Sequence, residues 1–286
     1  MWRAMVMCDV RKVTARAAAD FVLLCAVICM TACVNGNDTY TGSGAPRTYK
    51  AFVQALDEAE GGESPGNPAD IAFAGTEDAS EIYRALSGAG KYVRLDLSES
   101  TVTGFGTGQY LSGQAKIVSL ILPYNLEQIV YGAFIGLTQL EEVFIPYSVT
   151  KIGEQAFRNC TSLALVTILD SVRTIGNGAF RDCSSLSEIM LPRFATIIGE
   201  YAFNGCVSLT EITIPESVEH IGGNAFSSCS NLNTVIFEGS HTVLADHTVF
   251  TDGSTFRVAA TGDSGTGSYV VAEGTYLYDG TKWRNA

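Results

Sequence analysis

The stretch KIGEQAFRNCTSL, residues 151–163, has near copies at TIGNGAFRDCSSL from Thr174, IIGEYAFNGCVSL from Ile197 and HIGGNAFSSCSNL from His220. The start positions differ by 23 each time (174 − 151, 197 − 174, 220 − 197). A fixed period of this length is settled before any other feature, because it marks stacked units rather than one folded knot. The full unit is LEEVFIPYSVTKIGEQAFRNCTS, Leu140–Ser162. Its first Leu recurs at Leu163, Leu186, Leu209 and Leu232, with Ile117 ahead of it. Ile145 matches Leu122, Ile168, Leu191, Ile214 and Phe237. Ile152 and Phe157 recur from Ile129 and Phe134 through Ile221 and Phe226. Five full copies cover 117–231, and a sixth begins at Leu232 and decays.

LxxVxI is too short for a helix and alternates at period two, so it predicts a strand. Proline follows it in most copies and ends it, having no N–H for a ladder. SVxxIG predicts a second short extended piece, with its glycine giving a turn of positive φ. Ala and Phe of AF fill the next turn. One such unit cannot bury its own apolar face, whereas stacked units share a continuous core.

The pattern L..V.IP.SV..IG..AF..C.S resembles the BspA-like class of bacterial leucine-rich repeats, including treponemal leucine-rich-repeat lipoproteins. KYVRLDLSES (91–100) and GTYLYDGTKW (274–283) resemble the segments that flank the repeats there. The resemblance implies a β-rich repeat solenoid of about five 23-residue coils plus a degenerate sixth, on an exported or surface protein. It implies adhesion or host-protein binding, with no catalytic residues.

A solenoid needs special ends. The expected organisation is a signal peptide at 1–32, a flexible tether at 33–47, an α/β N-terminal cap at 48–116, the solenoid at 117–238 and a β-rich C-terminal cap at 239–286. In the N-terminal cap, 48–60 and 76–90 carry apolar residues at helical spacing (Phe52, Leu56; Ile82, Tyr83, Leu86), and ADIAFA (69–74) reads as a strand. FRVAA and SYVVA are strand candidates in the C-terminal cap.

The segment 1–33 stands apart. Arg3, Arg11, Lys12 and Arg16 precede FVLLCAVICMTA (21–32). Twelve helical residues span about 18 Å, too short for a bilayer core of about 30 Å, so this reads as a signal-peptide core. MTAC resembles the lipobox of bacterial lipoproteins, which implies cleavage before Cys33 and a lipid on it. Met30, Asp9 and Asp20 depart from that pattern; ordinary secretion, or a start at Met5 or Met7, are the alternatives. The expected location is outer-membrane-associated, at the cell surface or in the periplasm, with the membrane engaged only through the lipid.

The net charge is −12. Removing 1–32 leaves 14 basic residues (18 less four) and 28 acidic (30 less two), a net of −14. Such a surface repels phosphate backbones, which argues against nucleic acid. GFGTG (104–108) lacks a P-loop lysine, and no GxSxG elbow occurs. No enzyme activity, cofactor or metal is expected. Cys160, Cys183, Cys206 and Cys229 recur at coil spacing. Stacked about 5 Å apart with parallel Cβ directions, they read as buried free thiols acting as small hydrophobes, disulfide pairing and metal binding being the alternatives. His241 and His247 read as exposed loop residues.

The variable positions of the strand form two columns. One runs Ser119, Glu142, Leu165, Glu188, Glu211, Thr234; the other runs Ile121, Phe144, Thr167, Met190, Thr213, Ile236. Ile, Phe and Met where water is expected mark an interaction site. The candidate ligand-binding residues are Ile121, Glu142, Phe144, Leu165, Glu188, Met190, Glu211 and Ile236. The expected partner is a protein or extracellular-matrix component. The alternative is covering by a cap or by a second copy, as in a self-associating structural or periplasmic scaffold. Tyr124 and Tyr147 add an aromatic pair beside these columns.

Overall fold

The computed structural model describes residues 45–75, 79–101, 116–245, 249–250, 269–270, 274–278 and 283–285. The leader, Cys33, most of the tether, His247 and the FRVAA segment lie outside the described residues.

Alternation in LxxVxI builds a strand in every coil but the one that begins at Leu186: β3 (Ile117–Ile121), β5 (Glu142–Ile145), β7 (Leu165–Ile168), β10 (Glu211–Ile214) and β12 (Thr234–Phe237). SVxxIG adds β4 (Gln128–Ile129), β6 (Lys151–Ile152), β8 (Thr174–Ile175), β9 (Ile197–Ile198), β11 (His220–Ile221) and β13 (Val243–Leu244). Pairing is parallel, and each partner is the equivalent position of the adjacent coil, as in Val143↔Val166, Ile152↔Ile175 and Val235↔Ile212. A third ladder joins the turns: the Phe157 N–H donates to the Ala179 carbonyl at 2.7 Å, and Phe134, Phe180 and Phe203 repeat the bond. The chain is a β-solenoid with capping helices and strands.

Identical residues therefore stack. Phe134, Phe157, Phe180, Phe203 and Phe226 are fully buried, with ring centroids 5.1–5.4 Å apart and planes within 19°. The stack does not stop where the sequence repeat thins out. Phe250 continues it at 5.1 Å, and β13 continues the second sheet, so coil packing runs past Glu238. The fixed period would place Val249, not Phe250, in register with Phe226, which hides the last ring from a strictly periodic reading.

Two turn positions per coil are left-handed. One column is Gly132, Gln155, Gly178, Tyr201 and Asn224; the other is Gly136, Asn159, Asp182, Gly205 and Ser228. The glycine of IG, expected to take positive φ, does not. Gly153, Gly176, Gly199 and Gly222 are needed for close approach: a Cβ on Gly222 would lie 2.4 Å from the Glu200 nitrogen of the preceding coil.

The strand sheet is interrupted. Glu188–Leu191, expected to be a strand, forms none, and the first sheet ends at β7 and resumes at β10. Among the described residues, no backbone N–H from Ser187 to Leu191 donates to another backbone carbonyl. Ile189 and Leu191 still face the core at 6% and 8% exposure, against 0% for Ile145 and Ile214. The interior is thus continuous through a gap in the ladder.

Both ends are built by adding strands. Helix α1 (Tyr49–Glu58) starts at Thr48, whose Oγ1 accepts from the Ala51 N–H, and it buries Phe52 and Leu56. Lys91 Nζ donates to the carbonyls of Leu56 and Ala59 at its C-terminus, where a cation also suits the helix dipole. Helix α2 (Ala79–Ala89) buries Ile82, Tyr83 and Leu86 and is followed by Gly90 at φ +65°. Strands β1 (Ala69–Ala72) and β2 (Val93–Asp96) join β3 in parallel, so the cap extends the coil sheet instead of only covering it. At the other end β14 (Tyr269–Val270) pairs antiparallel with β13. Strand β15 (Gly274–Tyr278) pairs antiparallel with β12 and with β16 (Trp283–Asn285). Reversing strand direction ends the parallel stack.

Candidate functional site: the strand face

In each strand the residues between core positions point away from the core. Register places Ser119, Glu142 and Leu165 side by side, and likewise Ile121, Phe144 and Thr167. Glu211 pairs with Thr234, and Thr213 with Ile236. Glu188 and Met190 occupy the gap between these two ladders and are exposed, without strand partners.

The solvent exposure differs from expectation. Ile121, Phe144 and Ile236 are half-buried, because same-column neighbours about 4.8 Å away shield them. Leu165, in the column of glutamates, is 54% exposed, and Met190 is 36% exposed. Glu142, Glu188 and Glu211 are exposed around them. The apolar part of the face therefore centres on Leu165 and Met190 at the ladder gap, with an acidic surround. Tyr124 and Tyr147 lie at the strand ends, 42% and 61% exposed.

The cap enlarges the face. Asp70, Arg94 and Ser119 are register partners in succession, as are Ala72, Asp96 and Ile121. Arg94 Nε donates to Asp70 Oδ1 at 2.6 Å, and that hydrogen bond raises the guanidinium pKa above its ordinary value. Both side chains are solvated, so the pair contributes little to stability. It does put a cation two strands from Glu142, with Ser119 between them. The alternation in ADIAFA and YVRLDL is the sequence signal for this extension, although outside the repeat it points no further than a cap.

The gap coil is unusual beyond its strand. Of the ten exposed large apolar residues among the described residues, five belong to 186–208: Met190, Phe194, Ile197, Tyr201 and Val207. Phe194, 55% exposed, lies under the Arg173 guanidinium at 5.0 Å. No pattern of core letters shows this, since the coil keeps every core position.

The cysteines are interior. All four are fully buried thiols outside any disulfide. Each thiol donates to a phenylalanine carbonyl of the previous coil: Cys160 to Phe134 at 3.1 Å, Cys183 to Phe157 at 3.2 Å, Cys206 to Phe180 at 3.3 Å and Cys229 to Phe203 at 3.1 Å. Cysteine is thus more than a small hydrophobe, because its S–H adds a weak donor to a buried acceptor. Burial pushes the Cys160 thiol up to about 12 and raises those of Cys183 and Cys206 as well, which keeps them neutral and poor nucleophiles. Among the described residues no three His, Cys, Asp or Glu side chains gather as a metal site. His220 and His241 are exposed. No described helix is long and apolar enough to cross a membrane.

Three solved structures are similar to parts of this chain. A leucine rich repeat protein of T. pallidum is 36% identical over 41% of this chain and 57% of its own, with a TM-score of 0.40. A leucine rich cell surface protein of Faecalibacterium prausnitzii is 27% identical over 60% of this chain and 48% of its own, with a TM-score of 0.45. A leucine-rich repeat protein of Bacteroides ovatus is 24% identical over 54% and 57%, with a TM-score of 0.35. The chain spans about half the length of these structures. No curated protein matches it. The BspA type leucine rich repeat region, in six copies, matches residues 103–233 and 154–254, more than half of the sequence. The chain belongs to the family of proteins with BspA type leucine rich repeats.

Proposed function

We propose that this is an exported protein, held to a membrane by a lipid on Cys33, that binds host or extracellular-matrix proteins in the manner of an adhesin. Its working part is five full 23-residue coils and a sixth that decays. The leucine-rich-repeat solenoid is a fold suited to protein–protein interaction. The observation that carries the reading is the exposed pair Leu165 and Met190 at the ladder gap, set among Glu142, Glu188 and Glu211. An apolar patch with a charged rim is the usual form of a protein-binding surface. A pre-built face loses little conformational entropy on binding, so the mechanism is display, with no chemistry performed. The acidic rim favours a partner with basic residues around an apolar anchor.

The test is Leu165→Asp combined with Met190→Asp, compared with the unchanged chain on immobilised extracellular-matrix and serum proteins. Both side chains are exposed, so the doubly changed protein is expected to fold. Its binding is expected to fall at least about tenfold, the scale of losing one well-packed anchor. Unchanged binding would remove the strand face from consideration. Concentration-dependent self-association with no heterologous ligand would favour the scaffold reading instead. Mass analysis of the mature N-terminus belongs to the same experiment, and an unmodified Cys33 would overturn the anchor.

A further inference from the structure

Two arginines occupy the same turn position in adjacent coils. Arg158 and Arg181 lie one repeat period apart, next to the left-handed residues Asn159 and Asp182. Inter-coil bonds fix the turns: the Asn159 N–H donates to the Arg181 carbonyl at 2.8 Å. Like charges stacked at coil spacing repel, and nothing in the core demands them. Elsewhere the column holds Ile135, Asn204 and Ser227.

The two side chains border a shallow, open groove, completed by Gln155, Asn177, Glu200 and Tyr201. Few guanidinium donors are satisfied there. Arg158 Nη1 donates to Gln155 Oε1 at 3.2 Å. Arg181 contacts Asp182 across 3.4 Å and lies 5.3 Å from the Tyr201 ring centre. Nε of Arg158 is buried without a hydrogen-bond partner, and Nε of Arg181 meets only the Asp182 carboxylate at that ion-pair distance. Two half-exposed cations one repeat apart thus lie in a protein of net charge −12, with the carboxylates of Asp182 and Glu200 beside them.

The backbone gives an independent sign. Gln155 and Tyr201 sit at φ +53° and +55°, in a column where Gly132 and Gly178 show what the turn prefers. A bulky side chain costs energy there, and such strain collects at ligand sites. Both residues face the groove. Tyr201 offers an exposed ring, and Gln155, Asn177 and Glu200 offer amide and carboxylate groups that match hydroxyls. Glu200 disfavours a densely charged anion but not a single carboxylate, the group that a planar guanidinium fork matches.

We propose that this turn-side groove binds a carboxylate-bearing sugar residue of a glycan, with Arg158 and Arg181 on the carboxylate and Tyr201 against the ring. The site is separate from the strand face and does not depend on the reading of that face.

The experiment titrates the full mature chain with 3′-sialyllactose and with a hyaluronan tetrasaccharide, following amide and tyrosine NMR signals. Lactose and a tri-glutamate peptide serve as controls. The expected result is saturable shifts at Asn177 and Tyr201 with the acidic sugars, and binding at least about tenfold weaker for both controls. Arg158→Gln with Arg181→Gln is expected to weaken the acidic sugars by about tenfold or more. Tyr201→Gly relieves the backbone, so it is expected to raise the Tm while weakening the sugar to a similar degree. Equal binding of lactose and sialyllactose would overturn the proposal, as would peptide binding as tight as sugar or no binding at all. Loss in the arginine variant with full retention in Tyr201→Gly would also overturn the assigned ring contact.

Discussion

Replacing Phe180 by alanine is expected to destabilise the protein by about 3–5 kcal/mol, the upper range for truncating a core aromatic. Phe180 is fully buried and stacked on both sides, 5.3 Å from Phe157 and 5.4 Å from Phe203. Its neighbours cannot collapse into the space, because three inter-coil ladders hold its coil to that of Phe157 and two, the second sheet and the turns, hold it to that of Phe203. In a repeat stack stability is a sum of units and nearest-neighbour contacts, so this change removes two contacts at once. Guanidinium unfolding is the measurement. The expected signature is a lower midpoint with a reduced slope, as the coils on either side begin to unfold separately. Cys183→Ala, in the same turn and fully buried but outside the ring stack, is expected to cost less. Equal costs, or a cost for Phe180→Ala under about 1 kcal/mol, would mean that the aromatic stack is not what couples the coils.

What was legible in the sequence followed from repetition. Core columns such as Ile152 and Phe157 repeat because each coil must present the same shape to the next, so a single alignment of copies places them. The left-handed columns obey the same geometry yet do not stand out. Their residues share a backbone angle rather than a side chain: Gly136, Asn159, Asp182, Gly205 and Ser228 look unrelated unless backbone preference is the question. Enrichment in glycine, asparagine and aspartate was the available signal. Phe250 escapes because a single insertion breaks the period. The ladder gap at Glu188–Leu191 left no trace, since LSEIMLP keeps the pattern of its neighbours. For the candidate site, column membership was readable but exposure was not. Whether Phe144 or Leu165 meets water depends on what its neighbours cover, and that is set by packing across coils.

Gly222→Ala distinguishes the two physical reasons a repeat can demand glycine. Its backbone lies outside the positive-φ region, so alanine suffers no conformational penalty there. The added Cβ would instead lie 2.4 Å from the Glu200 nitrogen and 2.8 Å from the Glu200 Cα. Both are backbone atoms held by the ladder, since the Gly222 N–H already donates to the Ile198 carbonyl at 2.8 Å. Neither coil can yield without breaking such bonds, and the expected cost is about 2–3 kcal/mol, the scale of forced overpacking. Gly178 offers the opposite case. It sits at φ +60°, and a Cβ there would meet nothing closer than 3.6 Å. Gly178→Ala is therefore expected to cost about 1 kcal/mol, from the backbone alone. Gly178→Asn is expected to cost less still, as Asn224 already occupies the equivalent turn. Thermal unfolding of the three variants gives the order directly: the Tm should fall most for Gly222→Ala, less for Gly178→Ala and least for Gly178→Asn. If Gly222→Ala were the mildest, the close approach of the coils at the second sheet would be wrong, and with it the reason the IG pair ends in glycine at Gly153, Gly176, Gly199 and Gly222 alike.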